Sequence, residues 1–153
     1  MKKYELTAEF IEQWGKKLFR IKALISFGSV EAGELGGYVE KEDNLAQDGN
    51  AWVYGNARVY GNAEVCGNAD YLLIGRIGSR FSFTTFFKNK DKGITVSCGC
   101  FLGTIAEFRA KVTDTHGNNK HAKMYNLAAD MAELQILGEE HFDKLNTNKS
   151  EPF

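Results

Sequence analysis

No stretch of this 153-residue chain is apolar for the length a bilayer demands, so no membrane-spanning helix is expected. The opening residues, MKKYELTAEF, are basic but lack an apolar run, and no signal peptide is expected either. Cysteine is scarce: three residues, two of them as Cys98-Gly-Cys100, do not make a disulfide framework. A reducing, cytoplasmic setting is the expectation. Histidine is absent from Met1 to Thr115, so that long segment offers no imidazole as general base or metal ligand. Charge of one sign is also missing. A net charge of −1 gives no broad surface for nucleic acid. With 43% hydrophobic and 25% charged residues, the chain reads as one ordinary globular domain or two small ones.

What is present is a tandem repeat. Ala51-Trp-Val-Tyr-Gly-Asn56, Ala57-Arg-Val-Tyr-Gly-Asn62 and Ala63-Glu-Val-Cys-Gly-Asn68 keep a strict period of six, too long for a helical turn and too regular for a loop. Val53, Val59 and Val65 recur in one phase and Ala57, Ala63 and Ala69 in another, with Gly-Asn between them. A β-branched residue in each short strand and a small residue at each corner is the expectation, since Gly and Asn tolerate the backbone angles of a corner. Val39 and Leu45 extend the phase upstream, while Gln47 stands where a valine would.

This pattern resembles the hexapeptide-repeat proteins, in which an aliphatic residue is followed four positions later by a small one; Val53/Ala57, Val59/Ala63 and Val65/Ala69 fit. The resemblance implies a left-handed parallel β-helix, three hexads to a triangular coil. Residues 49–70 would then form little more than one coil, with no catalytic residue in it. Repeat units need neighbours to cover their open faces. A stub this short predicts capping by the rest of the chain, or stacking on another subunit as a homo-oligomer. Tyr54 and Tyr60 are expected to point outward from it, and Trp52 adds a third aromatic position.

The predicted fold is mainly β with some α: an N-terminal β cap and coil over residues 1–70, a small β-β-α-α unit over 71–140, and a flexible tail over 141–153, without order from Asn146 on. In the cap, Leu18 to Phe27 alternates as a strand, with Tyr4 to Leu6 pairing to it, and Thr7 starts a helical turn containing Phe10, Ile11 and Trp14. Beyond the coil, Tyr71–Ile74 and Phe81–Phe87 read as strands, and Phe83 to Cys98 as a hairpin turning over 89–93. Thr104-Ile-Ala-Glu107 is a capping-box pattern that opens a helix with Ile105, Phe108 and Val112 as its apolar stripe and Gly117 as its stop. A second helix runs from Asn119 to Leu137, with Met124, Leu127, Met131 and Leu134 as its apolar positions and Gly138 ending it. The segments Ile77-Gly-Ser-Arg80, Phe83-Thr-Thr-Phe86, Ser97-Cys-Gly-Cys-Phe101, Gly103-Thr104 and His116-Gly117, joined to the hexads, resemble an uncharacterised family of phage and prophage proteins. That implies a viral origin and a host-cell cytoplasmic location, and brings no activity with it.

The chemistry-bearing candidate is a strand–loop–helix: Ile94 to Cys98, the glycine-flanked Gly99–Gly103 loop, and the helix after Thr104. Free N–H groups at a helix start and glycines beside them suit an anion. The predicted ligand-binding residues are Arg80, Ser97, Gly99, Gly103, Thr104 and His116. A nucleotide-like ligand fits, although the Walker lysine is missing, the spacing is wrong, and an ordinary capped helix is the plainer reading of the same residues. Cys98, Cys100, His116 and His121 lack the usual zinc spacing, so no metal site is assigned. The same cysteines read as core residues rather than nucleophiles. No catalytic residue and no cofactor is expected. Many hexapeptide-repeat proteins are acyltransferases with a histidine base, but the hexads here contain no histidine. The function expected is therefore non-enzymatic binding: sequestration of a nucleotide-like host-defence signal by an oligomer assembled through the coil. The alternatives are stoichiometric inhibition of a host defence protein or a structural oligomerisation module.

Overall fold

The computed structural model describes residues 2–13 and 15–150, with side chains through 145. The chain opens with a hairpin: β1 (Tyr4–Gln13) pairs antiparallel with β2 (Lys16–Ala23) across a turn at Gly15, whose φ is +73°. The helical turn predicted after Thr7 is thus part of a strand. Thr7, Phe10 and Ile11 are good strand residues, and the Thr7 hydroxyl donates across to the Arg20 carbonyl instead of capping a helix. Trp14, placed in that turn by its sequence, lies outside the described residues. β2 is also shorter than predicted. It ends at Ala23, and Phe27 meets Val30 in an isolated bridge.

β2 passes the sheet to β3 (Leu35–Val39), and β3 pairs in parallel with β4 (Arg58–Val59) inside the repeat. Tyr38 faces Arg58, Val39 faces Val59, and Leu45 bridges Val65 in parallel, each pair twenty positions apart. Val39, Leu45, Val53, Ala57, Val59, Ala63 and Val65 all point into one core and are fully buried. The inward phase read from the hexads therefore holds, except at Ala69, which is exposed. The asparagines hold the corners: the Asn68 side chain accepts from the Trp52 N–H at 2.9 Å, and Asn44 donates to the carbonyls of Gly61 and Ala63. Gln47, the departure from the pattern, has a backbone-like role. Its amide accepts from Lys3 N and Tyr4 N and donates to Tyr4 O, so it pairs with β1 as a strand would.

Two ends of this segment need cover, and the chain supplies both. On one side β1 and β2 lie beside β3, and buried Lys3 donates to the Ala51 carbonyl at 2.7 Å. On the other, Glu64 N donates to Lys88 O and Lys90 N to Asn62 O. The sequence argument for oligomerisation through an open coil end therefore loses its physical basis. Tyr60 departs from expectation for the same reason. It points away from the repeat but is fully buried, because the second sheet packs on it through Phe87 at 6.2 Å. Tyr54 remains exposed, while Trp52 is buried edge-on to Tyr4 and Phe27.

The second sheet is an antiparallel meander of β5 (Tyr71–Ile77), β6 (Ser82–Lys88), β7 (Ile94–Cys98) and β8 (Phe101–Thr104). β6 is buried on both faces: Thr85 and Phe87 meet the repeat, whereas Thr84 and Phe86 face the helices. α1 (Ile105–His116) and α2 (Lys120–Ala132) cover that helical face, and α2 continues through a π-helical turn, Glu133–Leu137, to Gly138 at φ +94°. Arg109 locks the two helices by pairing with Asp130 at 2.7 Å and with Glu133. The unit is thus four strands with helices rather than β-β-α-α. α3 (Glu139–Ser150) occupies most of the predicted flexible tail, and residues 151–153 lie outside the described residues.

One expectation inverts. On α2 the buried side is Ala122, Tyr125, Ala128, Ala129 and Ala132, small residues that let the helix lie close to the sheet. Met124, Leu127, Met131 and Leu134 are the exposed side, Leu127 at 62%.

Burial also sets the response to alkali. Desolvation raises the phenols of Tyr4 and Tyr60, and those of Tyr71 and Tyr125 to about 12, against an ordinary value of 10. A raised folded pKa means that the folded state holds protons the unfolded state has lost. Stability from these groups is complete below pH 10 and drains away as the pH rises toward 12. In a phenolate absorbance titration, the signal from these four rings should appear together with unfolding above pH 10. Smooth ionisation of all six tyrosines near pH 10 with the fold intact would contradict this burial.

Candidate functional site

The predicted loop between Cys98 and Thr104 is a tight hairpin turn, Gly99-Cys100, followed directly by β8. Cys98 pairs with Phe101, so Cys100 sits exposed in the turn while Cys98 is half-buried on the strand; the two sulfurs do not share a strand face. Thr104 ends β8 and caps α1. Its hydroxyl accepts from Glu107 N at 3.1 Å, and the Glu107 carboxylate accepts from Thr104 N at 2.8 Å. These bonds hold the Glu107 carboxyl below its ordinary value. The helix start proposed for an anion thus carries a carboxylate of its own. Gly103 faces that carboxylate, a Cβ there lying 2.9 Å from Oε1, and neither Gly103 nor Thr104 lines either of the two cavities described below. The capping-box pattern was legible in the sequence, and it accounts for the hydrogen bonds at this helix start.

The other predicted residues converge nearby. Between the β7–β8 hairpin, the turn after β5 and the C-terminal half of α1 lies a cavity of about 560 Å³. Arg80, Gly99 and His116 line it, joined by Lys111, Tyr125 and Phe108, which sequence reasoning missed. Its three basic side chains are Arg80, Lys111 and His116, and no aspartate or glutamate lines it. Ser97 is not there. It faces the repeat, bonded to Tyr60 Oη at 3.1 Å, and lines a smaller cavity with Gln13 and Arg58.

Tyr125 forms the floor. Its ring meets Phe108 edge-on at 5.6 Å and stacks on His116 at 5.8 Å, and its hydroxyl lies within the electrostatic reach of the Cys98 thiol. Burial first, and the thiol next, push its pKa up to about 12, so at neutral pH it is a phenol able to donate. Cys98 Sγ also accepts from Thr84 Oγ1 at 3.2 Å. His116 reaches the mouth because Gly117, at φ +64°, ends α1 directly after it. His121 lies 5.4 Å from His116, ring to ring, and its Nδ1 is buried without a partner among the described residues. Among those residues no three His, Cys, Asp or Glu side chains converge as a metal site would require. The signal for Lys111 was its position: it flanks the Phe108/Val112 stripe on the rim of the same helix face as Thr115. Nothing in the sequence placed Tyr125 against Cys98, a contact made by tertiary packing.

Among the described residues no helix is long and apolar enough to cross a membrane. No family model matches the chain. Over 62 residues it is 40% identical to the uncharacterized acetyltransferase YdcK of Escherichia coli (strain K12), an alignment covering 35% of this chain and 19% of that protein. The chain therefore spans under a fifth of the length of that relative. This similarity points the same way as the hexads, toward the hexapeptide-repeat proteins.

Proposed function

We propose that this chain is a non-catalytic binding protein whose cavity between α1 and the β7–β8 hairpin takes a nucleotide-like anion. The lining carries the reading: Arg80 and Lys111 supply positive charge, His116 supplies a hydrogen-bonding imidazole, Phe101, Phe108 and Tyr125 supply ring faces and edges, and no acidic residue opposes them. A phosphate would meet the basic rim, and a base would lie against the aromatic wall. The resemblance to phage proteins frames the biological role as stoichiometric capture of a host-defence signal in the host cytoplasm. In this reading residues 49–70 are a short left-handed β-helical coil serving as scaffold, an assignment supported by the parallel pairing and the inward valines. Calorimetry against mono-, di- and cyclic nucleotides should show one site per chain. Lys111→Glu should weaken it at least tenfold, the cost of replacing one charged hydrogen bond by repulsion. Absence of heat across the whole panel would sink the proposal.

Acyl transfer finds its support in the name of the relative and in the resemblance of the hexads to the hexapeptide-repeat proteins. The hexads hold no histidine, so any imidazole base of this chain would have to come from His116, His121 or His141, all beyond the repeat.

The homo-oligomer stays part of the proposal, now on α2. Met124, Leu127, Met131 and Leu134 follow a three-four-three spacing, the seam of a paired helix, and all four are exposed. The ends of the stripe carry opposite charge. Lys120 and Lys123 sit at its start, and Glu139 and Glu140 just past its end. A second copy laid antiparallel across a two-fold axis would bring each end against its opposite. Sedimentation should give a dimer at micromolar concentration, and Leu127→Glu a monomer. Lys120→Glu should weaken the dimer, and adding Glu139→Lys should restore it. A wild-type monomer at tens of micromolar would remove this face from the account.

A further inference from the structure

A second cavity, of about 330 Å³, lies in the seam where the repeat meets β6 and β7. Its one charged side chain is Arg58, at the variable second position of the middle hexad. β4 is fixed there because Arg58 N donates to Thr85 Oγ1 at 3.1 Å, across the seam. The guanidinium donates to Gln13 Oε1. Gln13 is held from the other side: its Nε2 donates to Gly99 O at 2.9 Å and to Tyr60 Oη at 3.3 Å, and Tyr60 in turn pairs with Ser97 Oγ. That network fixes the Gln13 amide with its oxygen toward Arg58.

Every partner in the network is neutral. A guanidinium has five N–H donors in a planar fork, and Gln13 takes one. Among the described residues no carboxylate pairs with Arg58, whereas Arg20 pairs with one and Arg109 with two. A half-buried cation without an anion is an incomplete arrangement, because removal from water is compensated best by an opposite charge in bidentate geometry. Around the fork stand Asn56, Ser82, Thr85 and Ser97, groups that exchange hydrogen bonds with hydroxyls, and no acidic side chain lines the space.

We propose that this seam is a separate binding site for a small hydroxylated oxyanion, with Arg58 gripping the anionic group and the Ser/Thr/Asn wall reading the hydroxyls. The shared chemistry is that of a sugar acid or a sugar phosphate. The volume is at the lower end for ligand pockets, which suits a small ligand, and the lining is largely separate from that of the larger cavity. The two meet only at Ser82 and Gly99.

The test is an amide NMR titration of the full chain with gluconate, inorganic phosphate and, as a neutral control, glucose, at constant ionic strength in sodium chloride. Gluconate or phosphate should give saturable shifts at Arg58, Thr85, Ser97 and Gly99, with glucose silent; whichever anion responds identifies the source. Arg58→Gln should weaken binding at least tenfold, the loss expected for a charged hydrogen-bond donor. If that variant fails to fold, Asn56→Asp, a near-isosteric change at an exposed corner, should do the same by placing a competing carboxylate beside Arg58. Shifts confined to Lys111, His116 and Tyr125, shifts that track total salt, no saturable shift, or unchanged affinity in Asn56→Asp would each overturn the site.

Discussion

Gly36→Ala should cost the fold about 3 kcal/mol, the upper end of what overpacking a tight core takes. β3 approaches the repeat so closely that a Cβ on Gly36 would lie 2.6 Å from the Val53 carbonyl oxygen, 2.7 Å from the Trp52 ring and 2.8 Å from Ile21. None of these can yield easily. The carbonyl is backbone and accepts from Gly37 N, and Trp52 and Ile21 are fully buried. For a chain of this size such a loss lowers the melting temperature by roughly 6–12 °C. Gly93→Ala is the control, because its nearest neighbour would be 3.7 Å away, and it should stay within about 0.5 kcal/mol of wild type. Urea melts of the two variants decide the matter. A Gly36→Ala protein as stable as Gly93→Ala would mean that β3 does not rest on the hexads.

Gly78→Ala should have its largest effect on the cavity. A Cβ there would fall 1.8 Å from the Tyr125 hydroxyl oxygen and 2.5 Å from the ring carbon that bears it. Gly78 also holds φ at +83°, where any other residue is strained. The variant must therefore push Tyr125 away from its position beside Cys98 and disrupt its stacking on His116. The combined strain and repacking should cost about 2–3 kcal/mol, and nucleotide affinity should fall at least tenfold. Tyr125→Phe separates shape from hydrogen bonding. It keeps the ring and the floor, and should retain most of the affinity while removing one of the phenols whose pKa burial raises. Full affinity in Gly78→Ala would show that the ligand does not sit on this floor.

The repeat was legible because its geometry is written in period and residue size. Val53, Val59 and Val65 are inward because a six-residue unit returns each to the same phase, and no distant contact was needed to see it. The β6–β7 hairpin and the Thr104 cap were equally local. What failed were the segments that answer to tertiary partners. Thr7 to Gln13 carries residues compatible with a turn of helix or with a strand, and pairing with β2 decides it. On α2, counting large apolar residues selected the wrong face, because the sheet demands small ones: Ala122, Ala128, Ala129 and Ala132 let the backbone approach, and the methionines and leucines are left outside. The candidate site divides in the same way. Arg80, Gly99 and His116 reached the cavity, whereas Gly103 and Thr104 were claimed by Glu107, a residue whose capping role the sequence already announced.

The most direct test of the central claim is native mass spectrometry of protein purified rapidly from the cells that express it. Retention of one small anionic molecule per chain is the expected result, released on mild activation and absent from the Arg80→Glu/Lys111→Glu variant. Collected and fragmented, that molecule should yield a phosphate and an aromatic base. A bare-chain mass in wild type, together with silence across the nucleotide panel, would contradict the account.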